Sequence, residues 1–124
     1  MKIIIETKPL ETMRYDTWGD WYYDDVGNLH IDVANNIGQL PTENHQLLVA
    51  LHEFVEVWLC KEDGVTQEQV DEFDMETYPT LLLPDDLEPG DHELAPYRSQ
   101  HRKAAIIEHL MANFLNMTSY GVVK

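Results

Sequence analysis

The sequence predicts an α+β domain: an N-terminal antiparallel β-sheet of about three strands, packed by two long C-terminal helices and one short one. Three observations predict it. β-Branched and alternating apolar segments are confined to residues 1–38, stretches with helical apolar spacing and helix punctuation fill 39–124, and no repeat or low-complexity segment interrupts them. At 124 residues the chain is expected to form one domain, which can remove roughly two thirds of its unfolded surface from water.

The elements follow in order. Ile3-Ile4-Ile5, between polar residues, predicts a first strand with both faces partly covered. Residues 20–25 and the alternating run Leu29-His30-Ile31-Asp32-Val33 flank Val26-Gly27, which predicts a hairpin whose Leu/Ile/Val face needs a helical cover. A first helix starts near Pro41 or Thr42, carries an apolar pattern from Leu47 to Cys60 and ends at Gly64. Its predicted core arc is Leu47, Leu48, Leu51, Phe54, Val55, Trp58 and Leu59. Thr66 and Gln69 form a capping box for a short helix through about Met75. An irregular acidic connection runs through residues 81–93. The last helix extends from about Tyr97 to Met117, with Ile106, Ile107, Leu110, Met111, Phe114 and Met117 as its predicted core arc and Gly121 beyond it.

Twenty-three acids against eight Lys and Arg give a formal charge of −15. Such a field repels duplexes and anionic membranes, so neither is an expected partner. The bases are unevenly placed. Lys61 is the one base between Tyr15 and Tyr97, whereas Arg98, Arg102 and Lys103 are grouped near the C-terminal end. No apolar run approaches the roughly 20 residues of a membrane span, the apolar start is too short for a signal peptide, and the single Cys60 has no internal disulfide partner. A cytoplasmic setting is the expectation.

One constellation stands out. In the first helix His52, Glu53 and Glu56 are the only ionisable groups between Leu47 and Leu59, and at about 100° per residue they share a narrow sector. Opposite the apolar arc, the sector reads either as the solvated side of the helix or as a site; Val49, Val57 and Cys60, in or beside it, favour the site, since a solvated face would more often carry Lys or Gln. In the last helix His101 and Glu108 lie two turns apart on a strip completed by Ala105 and Ala112, whose small side chains allow a second helix to approach. If the two helices pack, these residues meet across a gap suited to a divalent cation, as bundle sites are assembled. Crowded carboxylates require such a cation or a shared proton. His52, Glu56, His101 and Glu108 are therefore the candidate ligands for zinc, manganese or magnesium, and Glu53 is the candidate base for a metal-bound water.

Asp71 and Asp74 read first as part of an exposed acidic helix, with reach to the same site as the alternative; Asp91-His92 reads first as a plain loop pair, with closure over a ligand as the alternative. Cys60 in an apolar helix reads as a small core residue, and Trp18, Trp21, Tyr22 and Tyr23 near the hairpin read as core, with an aromatic patch for a partner or planar ligand as the alternative.

The string Leu51-His52-Glu53-Phe54-Val55-Glu56 resembles the zincin metalloprotease helix, in which two histidines one turn apart bind zinc and the glutamate between them acts as base. Here the second position is Glu56. The carboxylate-rich helix also resembles the all-α nucleotide pyrophosphohydrolases, whose paired acidic helices hold magnesium around a triphosphate; Met111 stands where their second motif has an aspartate. His52-Glu53-x-x-Glu56, residues 70–74 and Ala95-Pro96-Tyr97-x-x-x-His101 together are similar to small uncharacterised bacterial and phage-type proteins, a resemblance that implies no activity.

Two functions are thus in play. One is a divalent-metal-binding domain, in its finer form a small metal-dependent hydrolase acting on a small-molecule substrate. The other is a non-catalytic acidic interaction protein of phage or prophage type, a DNA mimic with a protein partner. A homodimer, with an intersubunit site, is compatible with the first, because two carboxylate-bearing helices are fewer than the four that bundle sites combine.

Overall fold

A computed structural model describes residues 1–36, 43–81 and 88–117. Three strands, β1 (Ile3–Lys8), β2 (Gly19–Tyr23) and β3 (Leu29–Ala34), precede three α-helices, α1 (Glu43–Asp63), α2 (Gln67–Asp71) and α3 (Arg98–Phe114). The fold is α+β, with the sheet N-terminal and the helices C-terminal.

The sheet is mixed rather than wholly antiparallel, with strand order β1-β3-β2. β2 and β3 form the expected antiparallel hairpin, pairing Trp21 with Ile31, while β1 runs parallel to β3, pairing Ile5 with Ile31. The reason is directional. The chain reverses between β1 and β2 and again between β2 and β3, so a β3 that enters the centre is antiparallel to β2 and parallel to β1. The hairpin turn is held by Asp24, whose Oδ1 accepts from the Val26 and Asn28 amides at 3.0 Å each. Gly27, at φ 84°, takes the left-handed conformation that the reversal requires.

Leu29, Ile31 and Val33 bury one face of β3 beneath α1, which lies over β2 and β3. β1 is left outside that cover. Ile3 and Ile5 are about half exposed and Ile4 is half-buried, in line with a strand only partly covered, and β1 is an edge strand of the sheet. On the opposite face of the sheet Lys8 pairs with buried Asp32 at 2.7 Å, and Arg14 meets Asp20 through Nε at 2.7 Å and Nη2 at 2.9 Å.

α1 ends where expected, at Gly64 with φ 73°; the Pro41–Thr42 start lies outside the described residues. The Thr66 capping box is present, with Thr66 Oγ1 accepting from the Gln69 amide at 3.2 Å and Gln69 Oε1 from the Thr66 amide at 2.9 Å. The α-helical part stops at Asp71 and continues as a wider π-helical turn over Glu72–Thr77. Of the acidic connection, residues 82–87 lie outside the described set, and Pro89–Asp91 forms a 3₁₀ turn. α3 stops at Phe114 instead of Met117, because Asn116 turns left-handed at φ 57° and the Met117 amide folds back onto the Ala112 carbonyl at 3.0 Å. Gly121 lies outside the described residues.

Both long helices are rolled relative to their predicted core arcs. α1 buries Leu48, Val49, Ala50, His52, Glu56, Val57 and Cys60, whereas Leu47 and Trp58 are exposed. α3 buries Gln100, His101, Ala104 and Ala112 and turns Ile106, Ile107, Leu110, Met111 and Phe114 outward. Ala104 and Ala112 are fully buried where α3 meets α1; of the expected Ala105 and Ala112 strip, Ala105 is only half-buried and Ala104 takes its place in the contact. The polar sector then lies in the interior because its groups satisfy one another there.

Candidate metal centre

α1 and α3 run antiparallel, with Gln100 Nε2 donating to Asp63 Oδ2 at 2.8 Å at one end of their contact and His52 meeting Glu108 further along. Between these points three ligating atoms converge. His52 Nε2 lies 3.1 Å from Glu56 Oε2 and 3.1 Å from His101 Nδ1, and His101 Nδ1 lies 3.0 Å from the same Glu56 oxygen. All three residues are buried. His52 and Glu56 face the same way because they sit one helical turn apart; His101 is delivered from the facing helix.

A triangle of two ring nitrogens and one carboxylate oxygen is poorly served by protons. If both imidazoles carry hydrogen at these atoms, two N–H groups aim at one oxygen and at each other across 3.1 Å. A cation placed about 2.1 Å from each atom spans ligand edges of roughly 3.0 Å in octahedral and 3.4 Å in tetrahedral geometry, which brackets the spacing found. The cluster can therefore hold a divalent metal ion.

The outer atoms of these ligands are also engaged. Glu108 Oε1 lies 2.8 Å from His52 Nδ1, the nitrogen directed away from the triangle. Glu88 Oε2 and Asp91 Oδ1 lie 3.0 and 3.4 Å from His101 Nε2. Trp21 Nε1 donates to Glu56 Oε1 at 3.1 Å, which leaves Oε2 for the triangle. This is the support that orients metal-ligating histidines and carboxylates in known centres. Gly90 packs so closely on the His101 imidazole that a Cβ there would collide with the ring.

The charges are strongly coupled. Burial opposes a charged His52, but its hydrogen bonds to Glu108 and Glu56 prevail and push it up to about 11. His101 likewise rises to about 10 against burial, through Glu56 and Glu88. Burial alone would raise Glu56; the hydrogen bonds from His101 and His52 bring it down to about 2. Glu53 behaves in the opposite way. Burial, and then the negative charge of Glu56, raise it well above the usual carboxylate range. Its carboxylate lies against the backbone of Gly19, where an added Cβ would stand 2.7 Å from Oε1.

Of the residues singled out in the sequence, His52, Glu56, His101 and Glu108 are brought together, with Glu108 on the far nitrogen of His52 and Glu53 beside them. Asp71 and Asp74 take other partners. Asp71 receives Arg14 Nη1 and Nη2 at 3.0 Å each. Asp74 is buried and accepts from Tyr97 Oη at 2.5 Å and Tyr15 Oη at 3.0 Å; burial raises it to about 7 despite both bonds. Asp91 reaches His101, while His92 accepts from the Leu94 amide at 3.0 Å and tilts against Phe73. Cys60 is fully buried and its thiol is pushed up to about 12, mainly by burial.

Trp21, Glu88 and Gly90 were not evident as site residues. Trp21 reads as an ordinary inward strand position, and its single N–H becomes significant only when Glu56 is seen to lie inside. Pro89-Gly90-Asp91 offered one signal, a glycine in a turn flanked by acids. No helix among the described residues is long and apolar enough to cross a membrane. Comparison with known proteins gives no relative from which a role could be read: the chain matches no protein-family model, no curated protein and no solved structure.

Proposed function

We propose that this chain is a divalent-metal-binding domain in which His52 Nε2, His101 Nδ1 and Glu56 Oε2 are the protein ligands, and that it acts as a small metal-dependent hydrolase. The observation that carries the reading is the buried triangle of those three atoms, with edges of 3.0–3.1 Å. Two imidazoles and one carboxylate are a donor set for zinc, manganese or iron; magnesium prefers oxygen throughout. A divalent ion takes four to six ligands, so three protein atoms are fewer than its full set. Glu108 is assigned to orienting His52 rather than to the metal, because it addresses the nitrogen that points away.

For the hydrolytic step, Glu53 is the proton acceptor. Its raised pKa makes it a stronger base than a solvated carboxylate, and it follows His52 directly on α1. A bound divalent ion would supply Lewis acidity and lower the pKa of a water it held; Glu53, once ionised, would accept that proton, and Trp21 holds Glu56 Oε1 so that Oε2 stays on the ligand side.

The test is elemental analysis of purified wild-type protein beside a His52→Ala, Glu56→Ala variant shown by circular dichroism to be folded. Near-stoichiometric zinc, manganese or iron in the wild type alone is expected. No metal in either, after incubation with each ion, sinks the proposal. For hydrolysis, Glu53→Gln is expected to retain metal and lose turnover of phosphoester, nucleotide or peptide substrates. A metal-replete wild type inactive on all three classes would leave a binding domain without the assigned chemistry.

A further inference from the structure

α1 and α3 each carry an apolar stripe on the side away from the sheet. On α1, residues 47, 51, 54 and 58 recur at helical spacing, and their outermost members Leu47 and Trp58 are 57% and 59% exposed. On α3, Ile107, Leu110, Met111 and Phe114 do the same, from 42% to 71% exposed. α1 meets the sheet through Val49 and Glu53 and α3 through His52 and Glu56; Phe54 packs against the core, and Leu47 and Trp58 stand away from both contacts. The α3 stripe likewise lies to one side of the face formed by His101, Ala104 and Ala112. The two stripes therefore flank the α1–α3 seam on its outer side and form one two-helix apolar surface.

We infer that this surface is an interface with a second copy of the chain, the two α1–α3 pairs closing into a four-helix bundle about a two-fold axis. Area is the first argument. With aromatic side chains of roughly 150–250 Å² each, Trp58 and Phe114 alone present on the order of 250 Å². The four aliphatic side chains add a comparable amount, reaching the top of the range that monomers leave exposed. With its polar rim such a patch approaches the roughly 800 Å² per partner of a stable interface.

Charge is the second argument. The chain carries −15 overall, yet the stripes hold no charged residue. Because α1 and α3 are antiparallel, the α1 N-terminus lies toward the α3 C-terminus. A two-fold axis that sets α3 antiparallel to its copy brings exposed Lys103, one turn before Ile107 on the same side of α3, toward exposed Glu43 of the other chain. A self-complementary patch with opposite charges at its two ends is what an isologous interface needs. The metal triangle lies on the inner side of α1 and α3, so each protomer keeps its own.

Sedimentation velocity of the full chain, across micromolar concentrations, tests this. Wild type is expected to sediment at twice 14.4 kDa, and Leu110→Glu and Phe114→Glu each as a folded monomer with wild-type circular dichroism. Both changes fall on side chains exposed in the single chain, so they disturb its own packing little. A Glu43→Lys variant is expected to weaken the dimer, and Glu43→Lys combined with Lys103→Glu to restore part of it. A wild type that stays monomeric throughout overturns the inference and leaves the face to a different partner. A dimer unaffected by both apolar-to-Glu changes overturns it equally, by placing the contact elsewhere.

Discussion

Each ligand in the triangle has one atom turned inward and another held by a neighbour. His52 has Glu108, His101 has Glu88 and Asp91, and Glu56 has Trp21. Removing such an outer partner costs known centres about 10- to 100-fold in metal affinity. Glu108→Gln is accordingly expected to weaken binding by about that factor without changing the number of ions bound, as read by chelator competition. Proton linkage gives a second prediction. Without metal, their carboxylate partners raise His52 to about 11 and His101 to about 10 from 6.5, so the pair holds at least one extra proton at neutral pH. Folded-state values above the unfolded one mean that their stabilisation of the metal-free protein is full below about pH 6.5. It disappears as pH climbs through 10 to 11. Metal must displace the protons the pair holds, so affinity is expected to rise with pH and binding to release about one to two protons. Calorimetry in buffers of different ionisation enthalpy measures the number; zero protons released would contradict the ligand assignment.

At the scale of elements, the π-helical turn after α2 places Asp74 where an α-helix would have continued. Tyr15, from the connection after β1, and Tyr97, at the N-cap of α3, both reach it, so this carboxylate ties three separate segments together. Burial raises it to about 7 from 3.8. The folded state therefore binds this proton more tightly than the unfolded chain, and the associated stabilisation falls away as pH rises from about 4 through 7. Asp74→Asn removes the titration. Urea unfolding is expected to show the variant gaining on wild type between pH 5 and pH 8, by up to roughly 3 kcal/mol. An unchanged difference would place the proton elsewhere. The 3₁₀ turn at Pro89–Asp91 serves similarly, as the means of laying a glycine flat on an imidazole. Gly90→Ala is expected to displace the His101 ring, with metal affinity falling more than the thermal stability of the metal-free protein; equal losses would mean that Gly90 matters for packing alone.

Across the whole molecule, the site sits where sheet, α1 and α3 meet, and a bound ion would join α1 to α3, which otherwise depend here on hydrogen bonds between opposite charges. At 100 times its dissociation constant, a ligand specific for the folded state adds about 2.7 kcal/mol. For a chain of this length, that corresponds to a rise of roughly 10 °C in the unfolding midpoint. Scanning calorimetry with and without zinc or manganese measures it, and the His52→Ala, Glu56→Ala variant is expected to show no rise.

The sequence by itself determined the fold class, the hairpin with its Gly27 turn, the end of α1 at Gly64 and the Thr66 cap, because each depends on local geometry and on neighbours within a few residues. It also placed His52, Glu53 and Glu56 in one sector, since helical periodicity fixes angular position. Tertiary structure decided which way each helix faces. A helix with apolar residues on two sides has two plausible inner faces, and choosing between them depends on how closely the partner can approach. Ala104 and Ala112 make that approach close on the polar side, and the reciprocal bonds among His52, Glu56, His101 and Glu108 remove the cost of burying it. The parallel pairing of β1 was hidden for the same reason: strand order is fixed by which segment fills the centre of the sheet, a contact between residues far apart in the chain.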